Sequence, residues 1–286
     1  NNGGTGCTSK TVTYNSSYGT LCTPTRTGYT FLGWYTAVSG ETQITQATTM
    51  TSTQNHTVYA QWKINTYTLT YNNNGGTGCT SKTVTYNSSY GTLCTPTRTG
   101  YTFLGWYTAA SGGTQITQAT TMTSTQNHTV YAQWKANTYT LSYNNNGGTG
   151  CTSKTVTYNS SYGALCTSTR GGHIFQGWYT ATSGGTQISS STIFKNDFDT
   201  TIYAHWYSCP PGQYAIAGAT ACSPCPSGQT SDGGATGCYT PPPSCERKRE
   251  CGCAVQGYCH YKYGDCSLSG PTSYYKYYVC QQYNCC

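Results

Sequence analysis

Cysteine is the residue type with the most chemistry to offer in this chain: there are 18 in 286 residues. Six of them form three pairs at one constant spacing of 15, Cys7/Cys22, Cys79/Cys94 and Cys151/Cys166. Four more, Cys209, Cys222, Cys225 and Cys238, open a region that carries twelve cysteines in its last 80 residues. Thiols at this density can hold a metal, exchange disulfides or staple a fold. A metal wants further ligands such as His, and no His, Asp or Glu stands near the spaced pairs. A redox Cys-x-x-Cys sits at a helix N-terminus beside a strand, whereas Cys222 and Cys225 lie among Pro and Gly. Structural disulfides are therefore expected at all ten positions. They imply an extracellular or cell-surface setting, where thiols are oxidised. No metal and no cofactor is expected.

Other reactive types are thinly spread. From Thr42 to Asn196 there is no carboxylate at all. His56 and His128 occupy one repeated position, and His173, His205 and His260 have no evident partners, so no catalytic group is expected. Asn15, Asn87 and Asn159 in Asn-Ser-Ser, and Asn55 and Asn127 in Asn-His-Thr, fit the N-glycosylation sequon, whose use depends on the host. The 29 tyrosines are core candidates, because Phe and Leu are scarce. Where exposed, they could stack on sugars or on partner chains. Only 7% of residues are charged, against about 25% in an average soluble protein. The one basic cluster, Arg247 to Arg249, is bracketed by Glu246 and Glu250, which argues against nucleic acid as a partner.

An internal repeat positions these residues. The stretch Gly28-Tyr-Thr-Phe-Leu-Gly-Trp-Tyr35 recurs verbatim at 100–107 and altered at 172–179, a period of 72. Each copy closes on a second aromatic stretch ending at Trp62, Trp134 or Trp206, and the six tryptophans fill these two slots. Residues 2–62 and 74–134 differ only at Val38/Ala110 and Glu41/Gly113. Alternation of Tyr, Leu and Tyr with Thr at 67–71 predicts a half-buried strand, and residues 11–14 read the same way. Asn-Gly-Gly at 74–76 predicts a tight turn. At most one helical turn fits, around residues 46–50. The fold class is thus mainly β, as small α+β repeat modules, followed by disulfide-rich modules of low secondary structure.

The segment from Pro24 to Tyr35, the Asn-Gly-Gly turn and the closing Tyr-Ala-Gln-Trp resemble the internalin-type B-repeat, also called the Listeria–Bacteroides repeat. The resemblance implies β-grasp-like modules strung in tandem on bacterial surface proteins, often linked to adhesion, with no catalytic residues. The cysteine pairs depart from it, as do Ser168, Gly171, His173 and Gln176 of the third copy. Beyond Trp206, Cys209-Pro-Pro and Cys222-Ser-Pro-Cys225 resemble the Cys-rich repeats of ephrin-receptor and tumour-necrosis-factor-receptor type.

The expected modules are 1–62, which lacks a first strand, then 63–134, 135–206, 207–240 and 241–286. Eight cysteines in the last module leave its pairing open. Two functions follow. One is a surface stalk or filament subunit whose copies assemble head-to-tail, with Tyr274, Tyr275, Tyr277, Tyr278 and Val279 donating a strand to the first module. The other is an adhesin that binds glycan or protein at its Cys-rich end. The chain opens inside a repeat without Met, so either a leader has been removed or it is part of a longer chain. No run of residues is apolar enough to insert in a membrane.

Overall fold

The computed structural model of the chain describes residues 1–241. In chain order the first repeat contributes strands β1 (Tyr29–Tyr35), β2 (Gln43–Ile44) and β3 (Tyr59–Ile64). The second contributes β4 (Thr66–Asn72), β5 (Ser81–Thr85), β6 (Tyr101–Tyr107), β7 (Gln115–Ile116) and β8 (His128–Ala136). The third contributes β9 (Thr138–Asn144), β10 (Ser153–Thr157), β11 (His173–Tyr179), β12 (Gln187–Ile188) and β13 (Thr200–Ser208). A last short hairpin pairs β14 (Gln213–Tyr214) with β15 (Ser223–Pro224).

The described chain is all β. Residues 46–50, where one helical turn was expected, form a turn instead. Threonine chemistry decides this: Thr48 Oγ1 accepts the Thr45 N–H at 2.9 Å, offering the backbone a local bond that competes with a helix. Met50 then exchanges backbone bonds with Ser16 and Asn15 across an isolated bridge.

Repeat two shows the module in full, with strand order β5-β4-β8-β6-β7. The pair β4–β8 is parallel, from Leu69↔His128 to Asn72↔Tyr131, and the other pairs are antiparallel. On β4, Leu69 and Tyr71 are buried while Thr66, Thr68 and Thr70 face out, as period two requires. Leu69, Tyr71, Val84, Trp106, Met122 and Val130 make the core. Full burial of an aliphatic or aromatic side chain of this size contributes roughly 1.5–3 kcal/mol.

Both tryptophan slots keep their polar end satisfied. The indole N–H of Trp106 donates to the Cys94 carbonyl at 2.7 Å, and that of Trp134 to the Asn73 carbonyl at 3.0 Å. One slot thus ties the sheet to the cysteine loop, the other to the Asn-Gly-Gly turn. Trp178 and Trp206 repeat the arrangement in the third copy.

Repeat one contains only the sheet β2-β1-β3. Residues 11–14, expected as a strand, are not one, although residues 9–13 carry the same sequence as β5. The difference is the partner. β5 pairs with β4 through Val84↔Tyr67 and Thr83↔Thr68, and among the described residues no strand does the same for residues 9–13. Val84 is consequently 3% exposed, while Val12 is only half-buried and Tyr14 stands 61% exposed.

The chain divides into two compact units. The first is Asn1–Arg170 with Phe175–Tyr207 and holds most of the three repeats. The second joins Gly171–Ile174 to the described residues from Ser208 onward.

Candidate functional site

The spaced cysteines lie at the ends of a loop that each repeat braces from inside. Cys7–Cys22, Cys79–Cys94 and Cys151–Cys166 are disulfides with Cα atoms 5.8–5.9 Å apart. Within the loop of repeat two, Lys82 Nζ donates to the carbonyls of Tyr90 and Thr92 at 2.7 and 2.8 Å. Lys154 bonds the carbonyls of Tyr162 and Ala164 in the same way in repeat three. These lysines are therefore occupied by backbone. The Tyr71 hydroxyl closes the loop from the core side, accepting the Cys94 N–H at 3.4 Å. Burial raises the pKa of Tyr71 and Tyr143, opposed by the N–H groups of Cys94 and Cys166. Burial alone raises those of Tyr90 and Tyr162.

In the second unit, Cys209–Cys222 and Cys225–Cys238 are joined in sequence order, each across 13 residues. Cys222 and Cys225 are therefore in different bridges. Cys245 and the seven cysteines after it lie outside the described residues, as do Tyr274, Tyr275, Tyr277, Tyr278 and Val279 of the expected strand donor.

All five sequon asparagines are exposed. Asn15, Asn87 and Asn159 sit in the left-handed region, at φ 60°, 54° and 60°, in the turn after the cysteine-loop strand position. Asn127 also serves the fold, because its Oδ1 accepts the Thr68 N–H at 2.8 Å. The third repeat places Asp199 there, whose Oδ1 accepts the Thr140 N–H at 2.8 Å as well. Asn and Asp both supply that oxygen, so the fold needs an acceptor at this position and not a sequon.

Concave features lie at the junctions between repeats, which the sequence alone did not single out. Asn65 links repeats one and two: its N–H donates to the Gly28 carbonyl at 2.9 Å, and its own carbonyl accepts the Tyr86 N–H at 3.0 Å. Its Oδ1 accepts from Thr30 at 2.6 Å. Asn137 makes the same three bonds to Gly100, Tyr158 and Thr102. Tyr86 meets Tyr29 edge-on at 6.1 Å, and Tyr158 meets Tyr101 at 5.5 Å. Over those rings lie guanidinium groups, Arg26 at 3.7 Å from Tyr29 and Arg98 at 3.9 Å from Tyr101.

Each junction leaves an open cleft. One, of about 600 Å³, is lined by Thr97, Arg98, Thr99, Tyr101, Tyr158 and Asn159 among others. The other, of about 690 Å³, is lined by the residues 72 positions earlier, from Thr25 to Asn87. The signal for these residues was the period itself, since Asn65, Tyr86 and Arg26 each recur at 72. A reading within one module does not reveal that they meet across two.

At the corresponding positions of the third copy the residues differ for a packing reason. In the second unit the Gly172 carbonyl accepts the Cys209 N–H at 3.0 Å, the bond that Asn65 and Asn137 make elsewhere. A Cβ on Gly171 would fall 2.5 Å from Thr236 Cγ2, and one on Gly172 would fall 1.8 Å from the Gly234 carbonyl oxygen. His173, which replaces Tyr101, turns its Nδ1 to the Gly171 carbonyl at 2.8 Å. Ser168 is buried and donates to the Thr149 carbonyl at 2.9 Å. The Gln176 side chain is exposed, as Leu104 is.

Among the described residues no group of three or more His, Cys, Asp or Glu could hold a metal ion. Among them, too, no helix is long and apolar enough to cross a membrane.

The Listeria-Bacteroides repeat domain matches residues 1–61, 67–133 and 139–205. The chain is 39% identical over 130 residues to Internalin H of Listeria monocytogenes, covering 46% of this chain and 23% of that protein. It is 30% identical over 184 residues to a protein of Evansella cellulosilytica described as a Gly-rich membrane protein, covering 63% and 21% of the two chains. A second membrane protein of that organism is 30% identical over 188 residues, covering 64% and 27%. The chain thus spans only about a quarter of the length of these relatives.

Proposed function

The chain belongs to the Listeria-Bacteroides repeat family, and from that premise we propose that it is part of an extracellular, surface-associated protein in which the repeats act as a stalk. The observation that carries this reading is the duplicated junction. Asn65 and Asn137 join successive modules by the same three hydrogen bonds, so the array is built by repeating one contact. Disulfides in every repeat and in the second unit favour an oxidising compartment. The relatives named above are membrane proteins and an internalin, which points the same way. The strand order of repeats two and three, with a parallel pair in each, supports counting those modules as β-grasp-like with turns in place of the helix. A stalk needs no catalytic group.

Immunogold labelling of intact producing cells with antibody against the repeats tests this reading. Surface label is expected, and label that requires permeabilised cells would overturn it. Strand donation is the finer form of the proposal. The backbone of residues 9–13 has the sequence that in β5 pairs with a Tyr-Thr-Leu-Thr-Tyr strand, which an upstream stretch or a second copy could supply. Deletion of residues 273–279 should abolish filaments under electron microscopy if the second copy's C-terminal segment is the donor. Filaments that persist would remove that donor.

A further inference from the structure

A spacer has no need of the clefts at the two repeat junctions, yet both carry the same chemistry. We infer that each cleft is a subsite for an acidic polysaccharide, and that the two subsites engage one polymer chain. The inference is independent of where the protein resides.

Charge is the first argument. Arg26 and Arg98 have no carboxylate partner among the described residues, and the sequence between Thr42 and Asn196 holds none to compete with a ligand. The repeat lysines at 10, 82 and 154 are bound to backbone carbonyls, which leaves the arginines as the cations of the clefts. Beside the cleft lined by Arg98 and Asn159, Lys195 Nζ donates to Asn159 Oδ1, which brings another cation near that rim.

Preorganisation is the second. Each guanidinium is held over a tyrosine ring, and its Nη1 donates to a backbone carbonyl, Asn2 at 3.3 Å or Asn74 at 3.1 Å. The remaining guanidinium N–H groups have no partner among the described residues. A planar fork fixed in this way suits bidentate capture of a carboxylate or sulfate.

Lining is the third. Around the arginine stand threonine hydroxyls, two tyrosines and an asparagine amide, groups that match the hydroxyls of a sugar. Thr27 and Thr99 are exposed at the rim. A lining of hydroxyls, a cation and aromatic rings, joined by Phe31 and Trp62 in the earlier cleft, fits a regularly charged sugar chain better than an acidic peptide, which has few hydroxyls to offer. Two equivalent subsites on one chain would raise the affinity for a long polymer well above that for a short oligosaccharide. Asn87 and Asn159 are both sequon residues and both line the clefts, so glycans attached there would block them.

The test is calorimetric titration of the full, disulfide-bonded chain, made without N-glycans, with polygalacturonate. Dextran and poly-L-glutamate serve as controls. Polygalacturonate is expected to bind, dextran not to bind, and poly-L-glutamate to bind at least about tenfold more weakly. The Arg26→Gln/Arg98→Gln double variant should lose at least about tenfold in affinity, the scale of one charge-assisted contact. Because those arginines also stack, Thr27→Glu/Thr99→Glu provides a second route, adding a repelling charge at the exposed rim. Failure of polygalacturonate to bind would overturn the inference. So would equal binding of poly-L-glutamate, or affinity unchanged in both double variants.

Discussion

At Gly100 a Cβ would fall 2.4 Å from the Tyr158 ring, on a backbone already at φ +74°. Two costs coincide there, and a second glycine separates them. Gly112 has φ +66° with nothing within 4 Å of its would-be Cβ, so Gly112→Ala meets the backbone cost alone. That cost is roughly 1–2 kcal/mol, whereas Gly100→Ala adds an overpacking term of roughly 1–3 kcal/mol. Chemical unfolding of the two variants should show Gly100→Ala as clearly the more destabilised. Equal losses would mean that Tyr158 moves aside without cost. Tyrosine also makes the stability depend on pH at the alkaline end. Burial favours the protonated form of Tyr71, Tyr90, Tyr143 and Tyr162, so the folded state keeps these protons to higher pH than the unfolded chain does. Their contribution is whole below about pH 10, the ordinary tyrosine value, and falls as pH rises through the folded-state values. Circular dichroism recorded beside tyrosinate absorbance should show the fold lost only above that point, together with the late-ionising tyrosines. Loss of the fold before any tyrosine ionises would show that other groups control it.

At the scale of elements, the same sequence gives two outcomes, which marks the limit of what local patterning can tell. Alternation at 67–71 announced β4 correctly because the strand's two faces really do differ, with Leu69 fully buried and Thr68 and Thr70 exposed. The identical logic at 11–14 failed, since a strand exists only where another supplies its hydrogen bonds, and that information is not local. The two-residue strands β2, β7 and β12 were not legible either, being too short to show a period. The junction residues Asn65 and Tyr86 were hidden for a third reason: their partners lie in the neighbouring repeat. A pair of substitutions measures the effect of strand pairing directly. Val84→Ala removes a side chain 3% exposed in the core of repeat two, and should cost about 2 kcal/mol or more by the cavity argument. Val12→Ala, at the equivalent half-buried position, should cost less than half of that in the same denaturation experiment. Equal costs would imply that residues 9–13 have found a strand partner in solution.

At the scale of the whole molecule the question is whether the repeats unfold separately or together. In a linear array, stability is the sum of each repeat's own stability and the contacts between neighbours. Here two residues per junction carry much of the contact, an asparagine and a tyrosine. Asn137 takes the Gly100 carbonyl and the Thr102 hydroxyl on one side and the Tyr158 N–H on the other. Its backbone bonds survive substitution, but Asn137→Ala removes the Oδ1 that holds Thr102, and Tyr158→Ala removes the ring packed against Tyr101 and Gly100. Each disulfide restrains its 15-residue loop by roughly 3 kcal/mol on the chain-entropy view, so individual repeats should stay folded when a junction is cut. Differential scanning calorimetry of the oxidised chain should therefore show the repeats' transition broaden or split in the Asn137→Ala/Tyr158→Ala variant, with little change in total enthalpy. A single sharp transition at an unchanged temperature would place the coupling elsewhere. A large loss of enthalpy would instead mean that a repeat depends on its neighbour to fold at all, and that the junction belongs to the core.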